Sequence, residues 1–258
     1  MRELPPLDVH AHVAVDIEPI ELERLGAVVL VATRSLAEFD KVRDRHDRVS
    51  IWGVGCHPSL VRAQGDYDQR RFAEAIESTP YVSEVGLDGD SRVPMKRQIA
   101  TLGSILDVLD HTPRILSLHS YRAGEEILDI LEAHGNQPGR VLHWWLGDSE
   151  QTARALALGC YFSVNYSMIR ANDGWKSIPL DRLLVETDHP SGDRFGPVPR
   201  MPGRVQPVEV ALAKHHGLSQ RPLRTSLWEN FAAIVAGTGT YSILPKPVQL
   251  MADASSGA

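Results

Sequence analysis

Short apolar segments recur along the chain and alternate with longer polar stretches. Eight of these segments are rich in Val, Ile and Leu, and several lack a strict alternation of apolar and polar positions. This pattern is typical of parallel strands that are buried on both faces. The eight predicted strands are residues 7–12, 27–33, 50–56, 81–87, 115–120, 141–145, 160–165 and 182–187.

The stretches between the apolar segments predict helices. Residues 95–109 place apolar side chains at helical spacing, and residues 122–134 repeat that pattern and stop before Gly135. Similar patterns predict helices at residues 18–25, 36–48, 71–76, 149–158 and 223–236. Eight alternations of strand and helix favour an α/β fold, namely a single (β/α)8 TIM barrel.

One domain, residues 1–251, accounts for this barrel. The composition shows no break along it, and 258 residues are close to the usual length of one barrel. Residues 190–207 are rich in Pro and Gly and predict an irregular loop after the eighth strand. Residues 252–258 are small and polar, so we expect a disordered tail there.

Composition argues against several classes of protein. The longest apolar run, residues 27–32, is far shorter than the roughly 18 residues that a membrane span requires, so we expect no membrane association. Two cysteines cannot form a disulfide framework, and the first residues lack the pattern of a signal peptide, which predicts a cytoplasmic location. The formal net charge of −6 argues against non-specific coating of nucleic acid but leaves room for a local basic groove.

Imidazole and carboxylate side chains fall at the ends of the predicted strands, where (β/α)8 barrels carry their chemistry. The first strand ends with His10 and His12, and the two-residue period of a strand puts both imidazoles on one face. Such groups are costly to bury unless they are paired or bind a metal. Later strands deliver further members of this set: Glu84, His119, His143, Glu186 and Asp188.

This donor set predicts a metal centre. Imidazole and carboxylate ligands suit Zn²⁺, Mn²⁺ or Fe²⁺, and oxygen-rich variants favour Mg²⁺. Four histidines and two carboxylates exceed the roughly three protein ligands of one open catalytic zinc, so they suggest two cations that share a bridging carboxylate. Structural alternatives stay open for each residue: hydrogen bonding at the barrel rim for the histidines, an ion pair for Glu84, and capping of a turn for Asp188.

Five motifs in order, HAH, SEVGLD, LSLHS, VLHWW and ETDHP, resemble the TatD family of metal-dependent deoxyribonucleases, which have an amidohydrolase-type barrel. The resemblance covers about residues 7–235. It implies a metal-dependent hydrolase with two divalent metal ions (Zn, Mn or Mg), and it makes Glu84 and Asp188 the catalytic carboxylates. The implied ligands of the first ion are His10, His12, Glu84 and Asp188, and those of the second are Glu84, His119 and His143.

Longer stretches look closest to the QatD branch of this family: SEVGLDGDSR, RILSLHSYRAGEEILDILE, and HWWLGD with LGCYFSVN. QatD proteins accompany three other components in the Qat anti-phage defence systems. The substrate rim departs from the family pattern. Residues 143–147 read HWWLG where many relatives have HCFSG, and residues 119–122 read HSYR where relatives often have His-x-Arg. The resemblance therefore predicts the reaction better than it predicts the substrate.

Substrate-binding candidates lie near the predicted barrel mouth. Arginine can hold phosphate through bidentate contacts, and Trp144 offers a flat face for an unpaired base. His57, in the GCHP turn after the third strand, either contacts a phosphate or stabilises its loop. The candidates are Arg122, Trp144, Arg194, Arg200 and His57.

Together these features predict a metal-dependent phosphodiesterase that hydrolyses DNA, at single strands or ends, with other Qat proteins as partners in a defence system. One alternative is a hydrolase of the amidohydrolase class for a small amide, ester, lactone or organophosphate. Many such enzymes carry a carboxylated lysine on the fourth strand, where this chain has Glu84. Another alternative is a weakly active binding subunit of a multi-protein complex.

Overall fold

The computed structural model describes residues 3–171 and 173–257. Its centre is one eight-stranded sheet in which each strand pairs with the next along the chain. Every described pairing is parallel. The strands are β1 (Leu7–Ala11), β2 (Val28–Ala32), β3 (Ser50–Gly55), β4 (Tyr81–Gly86), β5 (Ile115–His119), β6 (Arg140–His143), β7 (Tyr161–Val164) and β8 (Leu183–Val185).

Two backbone hydrogen bonds join the first strand to the segment after the last. The amide of Asp188 donates to the carbonyl of His10 over 2.8 Å, and the amide of His12 donates to the carbonyl of His189 over 3.0 Å. The sheet therefore closes into a barrel. This confirms the predicted fold class, a single (β/α)8 barrel.

Helices surround this barrel. The α-helices are α1 (Pro19–Arg24), α2 (Leu36–Phe39), α3 (Val61–Gly65), α4 (Gln69–Ile76), α5 (Met95–His111), α6 (Gly124–Ala133), α7 (Ser149–Ala157), α8 (Tyr166–Ala171), α9 (Gln206–His216), α10 (Gln220–Thr238) and α11 (Lys246–Ser256). Short 3-10 helices occupy Gly174–Ser177, Leu180–Arg182 and Tyr241–Ile243. Of the helices in the described part of the chain, none combines the length and the apolar character that crossing a bilayer requires.

The apolar core has two parts. One packs the strands against the surrounding helices and includes Val29, Phe72 and Leu128. The other packs the first residues of the strands, such as Leu7 and Tyr81, against the last two helices. Helices α10 and α11 thus cover the amino-terminal ends of the strands, and the opposite end of the barrel is left for polar side chains.

The helix predicted over residues 36–48 is wrong from residue 40 onwards. Helix α2 has only four residues, and turns follow it. Arg45 donates to the carbonyl of Ile17, and the carboxylate of Asp47 accepts hydrogen bonds from Arg45 and from the indole of Trp52. These bonds to other segments hold the chain in an irregular path that a continuous helix would not allow.

The disordered tail expected at residues 252–258 is also corrected by the structure. Helix α11 continues through Ser256, with Ala252 and Ser255 only 3 % and 1 % exposed. Small side chains let this helix approach α10 closely, which the composition of the segment alone did not reveal. Residue 258 lies outside the described residues. The irregular loop after β8 is confirmed, since residues 190–205 contain turns but no helix or strand.

Candidate metal centre

The carboxyl ends of the strands bring the predicted metal ligands together. His10 lies in β1, Glu84 lies in β4, and His119 and His143 are the last residues of β5 and β6. His12 and Asp188 follow β1 and β8 at the same end of the barrel. Five of the six side chains predicted as ligands line one cavity: His12, Glu84, His119, His143 and Asp188. The sixth, His10, is buried beside them, with its Nε2 3.1 Å from Glu84 Oε1.

Glu84 lies at the centre of this cluster. Its Oε1 is 3.1 Å from His10 Nε2 and 3.2 Å from His143 Nε2, and 3.9 Å from His119 Nδ1. Its other oxygen, Oε2, is 2.8 Å from His57 Nε2. Both oxygens therefore face imidazole nitrogens, which is the arrangement needed for a carboxylate that bridges two cations.

Asp188 occupies the side of the cluster nearest to β1. Its Oδ1 lies 3.5 Å from His12 Nε2 and 4.0 Å from His10 Nε2. The other nitrogen of His12, Nδ1, is 3.0 Å from the carbonyl oxygen of Ala32. That contact orients the ring so that Nε2 points at the carboxylates.

The backbone is strained where the site is built. Glu84, Trp144 and Asp188 have φ angles of 50°, 44° and 40°. A residue other than glycine adopts this left-handed region at a cost of about 1–3 kcal/mol. In β4 the register with β5 shifts between Val82 and Val85, and such an irregularity re-aims the side chain that it carries. The strain therefore places Glu84 among the histidines.

Several buried imidazole nitrogens in the cluster have no hydrogen-bond partner among the described residues. They are His10 Nε2 and both ring nitrogens of His119 and of His143. The nitrogens of His10 and His143 lie close to Glu84 without forming hydrogen bonds to it, and His119 Nδ1, at 3.9 Å, is beyond hydrogen-bond distance. A buried polar atom without a partner costs about 1–3 kcal/mol, so five such atoms within one cluster fit a site that holds cations. The nitrogen-rich donor set suits Zn²⁺ or Mn²⁺ better than Mg²⁺.

Three overlapping groups of side chains have ligand atoms within 4.8 Å of one another: His10–Glu84–His143, His10–His12–Asp188 and His57–Glu84–His119. This grouping differs from the two ligand sets implied by the resemblance. The ring of His143 stacks on that of His10 with centroids 4.2 Å apart, and His57 takes the place beside His119. Sequence analysis treated His57 only as a substrate or loop residue. Its position after β3, at the same end of the barrel, was the signal that could have indicated more.

Burial sets the protonation of three of the histidines. It lowers the pKa of His10 to about 3, with the nearby His143 acting in the same direction. Burial also lowers the pKa of His12 and of His143 below its usual value. Because the neutral imidazole is the form that binds a metal, these side chains are ready to act as ligands at neutral pH.

For His119 and Glu84, neighbouring charged groups outweigh the effect of burial on the pKa. Burial lowers the pKa of His119, but the carboxylates of Asp88 and Glu84 beside it outweigh burial and raise that pKa to about 9. Burial raises the pKa of Glu84, but His57, His10 and the other imidazoles hold it well below its usual range. Glu84 is therefore an anion at the centre of the cluster.

The two carboxyl groups near β8 behave differently. Burial raises the pKa of Glu186 to about 8. Burial and the neighbouring Glu186 together raise the pKa of Asp188 well above its usual value. Carboxyl groups with raised pKa values ionise fully only when positive charge is placed beside them, and a divalent cation supplies that charge.

Buried polar side chains behind the cluster hold it in place, and of these only Glu186 is among the residues that the sequence indicates at the strand ends. Ser117 Oγ and the hydroxyl of Tyr81 lie 2.7 Å and 3.2 Å from His10 Nδ1, which leaves Nε2 facing Glu84. Glu186 accepts hydrogen bonds from the Asn165 side chain at 3.0 Å, from the Trp144 amide at 3.1 Å, and from the Ser163 hydroxyl.

Asp8 ties the first strand to the loop that carries Asp188. Its carboxylate accepts hydrogen bonds from the amide and hydroxyl of Thr187, at 2.8 Å and 2.6 Å, and from the amide of Gly203 at 2.7 Å. Asp8 and Glu186 each lie two residues before a predicted ligand. The strand period could therefore have indicated both of them.

A pocket of about 430 Å³ opens over the cluster. Trp144 and Arg194 line it, with Tyr121 and Leu146 beside them. The guanidinium of Arg194 lies 5.9 Å from the ring centre of Trp144 and 4.9 Å from that of Phe195, within the range of cation–π contacts. Three of the five predicted substrate residues, His57, Trp144 and Arg194, thus line this pocket. The second tryptophan, Trp145, is buried and donates to Thr152.

The structure does not bring the other two candidates to the pocket. Arg122 is exposed and donates to the carboxylate of Asp90 over 2.9 Å, which holds it on the outer surface. Arg200 bonds to the carbonyl of Arg194 within its own loop and lines a separate small cavity. Proximity in sequence to a strand end was not sufficient to aim either side chain inwards.

Residues 7–236 match the family model described as TatD related DNase. The chain belongs to the TatD family. Among TatD-family relatives, the metal-dependent hydrolase YcfH of Escherichia coli (strain K12) is 29 % identical over 196 residues, which are 71 % of this chain and 73 % of that protein. The 3'-5' RNA nuclease TATDN2 of Homo sapiens is 25 % identical over 153 residues, which are 54 % of this chain and 20 % of that protein.

The fold also matches solved TatD structures. The crystal structure of the TatD homolog YjjV from Escherichia coli K12 aligns with a TM-score of 0.74 at 21 % identity, covering 88 % of this chain and 97 % of that one. The family, the barrel and the His, Glu and Asp cluster together make this protein a TatD-type metal-dependent hydrolase.

Proposed function

We propose that this hydrolase is a two-metal phosphodiesterase that cleaves DNA, at single strands or at strand ends. The observation that carries the proposal is the convergence of imidazole nitrogens on both oxygens of Glu84, with Asp188 beside His10 and His12 in the same cluster. Phosphodiester hydrolysis is one of the reactions that such a site would serve, because bound divalent cations would stabilise the negative charge that develops on the attacking and leaving oxygens.

The pocket supports a nucleic-acid substrate. Arg194 places a guanidinium at the mouth, where it can pair with a phosphate, and Trp144 offers an aromatic face on which a base can stack for about 1–3 kcal/mol. A concave barrel mouth admits an unpaired strand more readily than an intact duplex. The matching family is described as DNases and the human relative is named an RNA nuclease, so both descriptions agree on nucleic acid.

The ligand residues are assigned as the resemblance implies: His10, His12, Glu84 and Asp188 for one cation, and Glu84, His119 and His143 for the other. Bound divalent cations supply a lowered pKa for water and positive charge opposite the phosphate oxygens. Asp188 accepts the proton of the attacking water and returns it to the leaving oxygen. Arg194 binds a non-bridging phosphate oxygen. Glu84 belongs to both ligand sets and so links them.

The test combines metal analysis with a substrate panel. Protein stripped with EDTA and reloaded with Zn²⁺, Mn²⁺ or Mg²⁺ is given end-labelled single-stranded DNA, duplex DNA and RNA of one sequence, and a parallel panel of esters, amides, lactones and organophosphates. We expect two metal ions per chain by elemental analysis and cleavage of single-stranded DNA that EDTA abolishes. Hydrolysis of the small-molecule panel without cleavage of any oligonucleotide would contradict the proposal.

A matched pair of arginine variants locates the substrate. Arg194→Ala removes the guanidinium in the pocket, and we expect the KM for single-stranded DNA to rise about tenfold or more. Arg122→Ala removes an exposed guanidinium outside the pocket and serves as the control. Equal effects of the two substitutions would show that the pocket does not hold the strand.

The proposal extends to anti-phage defence, with other Qat components as partners in the cytoplasm. It is supported by the resemblance of the stretches SEVGLDGDSR and HWWLGD to the QatD branch. Cys56 and Cys160 are free thiols, as is usual in a reducing compartment. Plaque assays on cells with the complete system test it: Asp188→Asn is expected to abolish protection, and full protection by that variant would contradict a role for the metal centre in defence.

A further inference from the structure

A second cavity, of about 790 Å³, lies at the end of the barrel opposite the metal centre. The first residue of β3, Ser50, and the residue before β4, Pro80, belong to one wall. Residues 243–247 and Leu250 belong to the other wall. Strand β3 spans about 16 Å at 3.3 Å per residue, so this cavity is separated from the ligands by the length of the barrel. We call it the floor groove.

One wall of the floor groove is a segment outside the family match. The match ends at residue 236, whereas Ile243 and Leu250 lie beyond it. These two side chains are 38 % and 59 % exposed, although both are large and apolar. Exposed apolar side chains beside a groove offer contact area to the apolar residues of a ligand.

Most of the ionisable side chains that line the floor groove are basic. Basic side chains line it, whereas Asp47 is the one acidic residue of its described lining. Asp47 is buried and already paired with Arg45 over 2.9 Å, so it does not offset the others. The basic side chains are Arg43, Arg45, His46, Arg48 and Lys246. The groove is therefore locally basic, although the formal net charge of the chain is −6.

The outer basic side chains are available to a ligand. The guanidinium groups of Arg43 and Arg48 lie 3.9 Å from the carboxylates of Asp40 and Glu23, which is too far for a hydrogen bond. The ammonium of Lys246 donates to the neutral side chain of Gln249. Charged groups at this distance on the surface contribute little to stability, so a binding role does not compete with a structural one.

The base of the groove offers one more polar group. The hydroxyl of Ser50 lines the groove, is buried, and has no hydrogen-bond partner among the described residues. Trp52 also lines the groove but is only 7 % exposed, because the guanidinium of Arg45 lies 5.0 Å from its ring centre. No open aromatic face is therefore offered at this position for stacking a base.

We propose that the floor groove docks an acidic segment of a partner protein, in which Asp and Glu alternate with large apolar residues. The apolar side chains of that segment contact Ile243 and Leu250, and its carboxylates pair with Arg43, Arg48 and Lys246. A nucleic acid fits less well, because the apolar wall offers no partner to its phosphates and the single lining tryptophan is covered. This surface is independent of hydrolysis at the metal centre.

A synthetic peptide tests the proposal on the full chain. The probe is a fluorescein-labelled peptide of sequence EDLEELDDLE, followed by anisotropy at low salt, with the lysine counterpart KKLKKLKKLK as the reversed-charge control. The wild-type protein is expected to bind the acidic peptide and not the basic one. Reversing two charges, Arg43→Glu with Arg48→Glu, is expected to weaken binding about tenfold or more.

Two further variants separate the apolar wall from charge alone. Leu250→Asp is expected to weaken peptide binding about as strongly as the double reversal. Arg70→Glu reverses an exposed charge on α4 that is not part of the groove lining, and it is expected to leave binding unchanged. If Leu250→Asp disturbs α11, as judged by thermal unfolding, Ile243→Asp, which lies before that helix, tests the same apolar wall.

Several results would overturn the proposal. They are failure of the acidic peptide to bind the wild-type protein, and equal binding by the wild type and the double reversal. Loss of single-stranded oligonucleotide binding in the double reversal, without loss of peptide binding, would identify a nucleic-acid surface instead. Self-association in sedimentation experiments that Leu250→Asp abolishes would assign the groove to a second copy of this chain.

Discussion

The two ends of the barrel solve opposite physical problems. At the amino-terminal ends of the strands, apolar side chains pack against α10 and α11, and Trp228 is fully buried with its indole donating to the carbonyl of Pro5. At the carboxyl ends, ionisable side chains such as Glu84 and His10 are buried, and five imidazole nitrogens have no hydrogen-bond partner within the described part of the chain. Burial of apolar side chains at one end stabilises the fold, and burial of ionisable side chains at the other end destabilises it.

Backbone strain at the carboxyl ends shows how much free energy this arrangement costs. Glu84, Trp144 and Asp188 lie in the left-handed region, at about 1–3 kcal/mol each, whereas the net stability of a typical domain is about 5–15 kcal/mol. Strain of this size persists only where the surrounding structure holds it. The apolar end and the bonds of Asp8 and Glu186 provide that support. The contrast therefore predicts that substitutions at the two ends affect different observables.

The largest effect is expected at the mouth. Asp188→Asn removes the proton acceptor, and we expect kcat for single-stranded DNA to fall by about 10²–10⁴-fold. The free energy of unfolding is expected to stay the same or to rise, because a buried carboxyl group with a raised pKa is replaced by a neutral amide. Rate measurements and urea denaturation check both parts. A wild-type rate in this variant would refute the assignment of Asp188.

The reverse result is expected at the floor. Trp228→Ala removes a fully buried side chain and its hydrogen bond to Pro5, so the free energy of unfolding is expected to fall by about 3–5 kcal/mol. The rate per folded molecule is expected to be unchanged. Denaturation at a temperature where the variant is folded measures the first quantity, and active-site titration the second. Leu250→Ala, at an exposed position, is the control with a change below about 0.5 kcal/mol.

The sequence predicted the barrel and the six clustered side chains because both follow from local rules. Strands buried on both faces read as apolar segments, and the strand period aligns His10 with His12. Parallel strands then bring their carboxyl ends to one place, so Glu84, His119 and His143 meet without any knowledge of the contacts.

The parts that the sequence did not predict depend on long-range contacts. Helix 36–48 fails because Asp47 bonds to Trp52 and Arg45 reaches Ile17. Arg122 lies outside the pocket because Asp90, on another loop, holds it there. Such contacts have no local periodicity, so no pattern of apolar and polar positions could indicate them.

An intermediate effect is expected from pH in the metal-free protein. The folded-state pKa of His119 is about 9, whereas an unperturbed histidine titrates near 6.5. The protonated imidazole therefore contributes about 3 kcal/mol of stability that is complete below pH 6.5 and is lost as the pH rises through 9. The difference in unfolding free energy between the wild type and His119→Asn is expected to shrink by that amount between pH 5.5 and pH 9.5.

Metal binding sharpens this test. A bound cation requires the neutral form of His119, so loading with Zn²⁺ at pH 7 is expected to release a proton from this side chain. Calorimetry in buffers of different ionisation enthalpy counts the protons released. If the stability difference between wild type and His119→Asn does not change with pH, the carboxylates of Asp88 and Glu84 do not control this imidazole.

The smallest effect concerns the residues behind the mouth. A His10 ring that offers Nε2 to a cation must carry its proton on Nδ1, and Ser117 Oγ is 2.7 Å from that nitrogen. Ser117→Ala removes the acceptor, so we expect the dissociation constant for Zn²⁺, measured by competition with a chelator, to rise about tenfold.

Tyr81→Phe is the matched substitution at the same nitrogen. The tyrosine hydroxyl is more distant from His10 Nδ1, at 3.2 Å, and also donates to the carbonyl of Val9. We therefore expect a change of less than about threefold in the dissociation constant, because Ser117 remains as the acceptor. Tyr81 also packs among the apolar strand starts, so its loss is expected to lower stability more than metal affinity. A larger effect on affinity than that of Ser117→Ala would mean that Tyr81, and not Ser117, orients the His10 ring for metal binding.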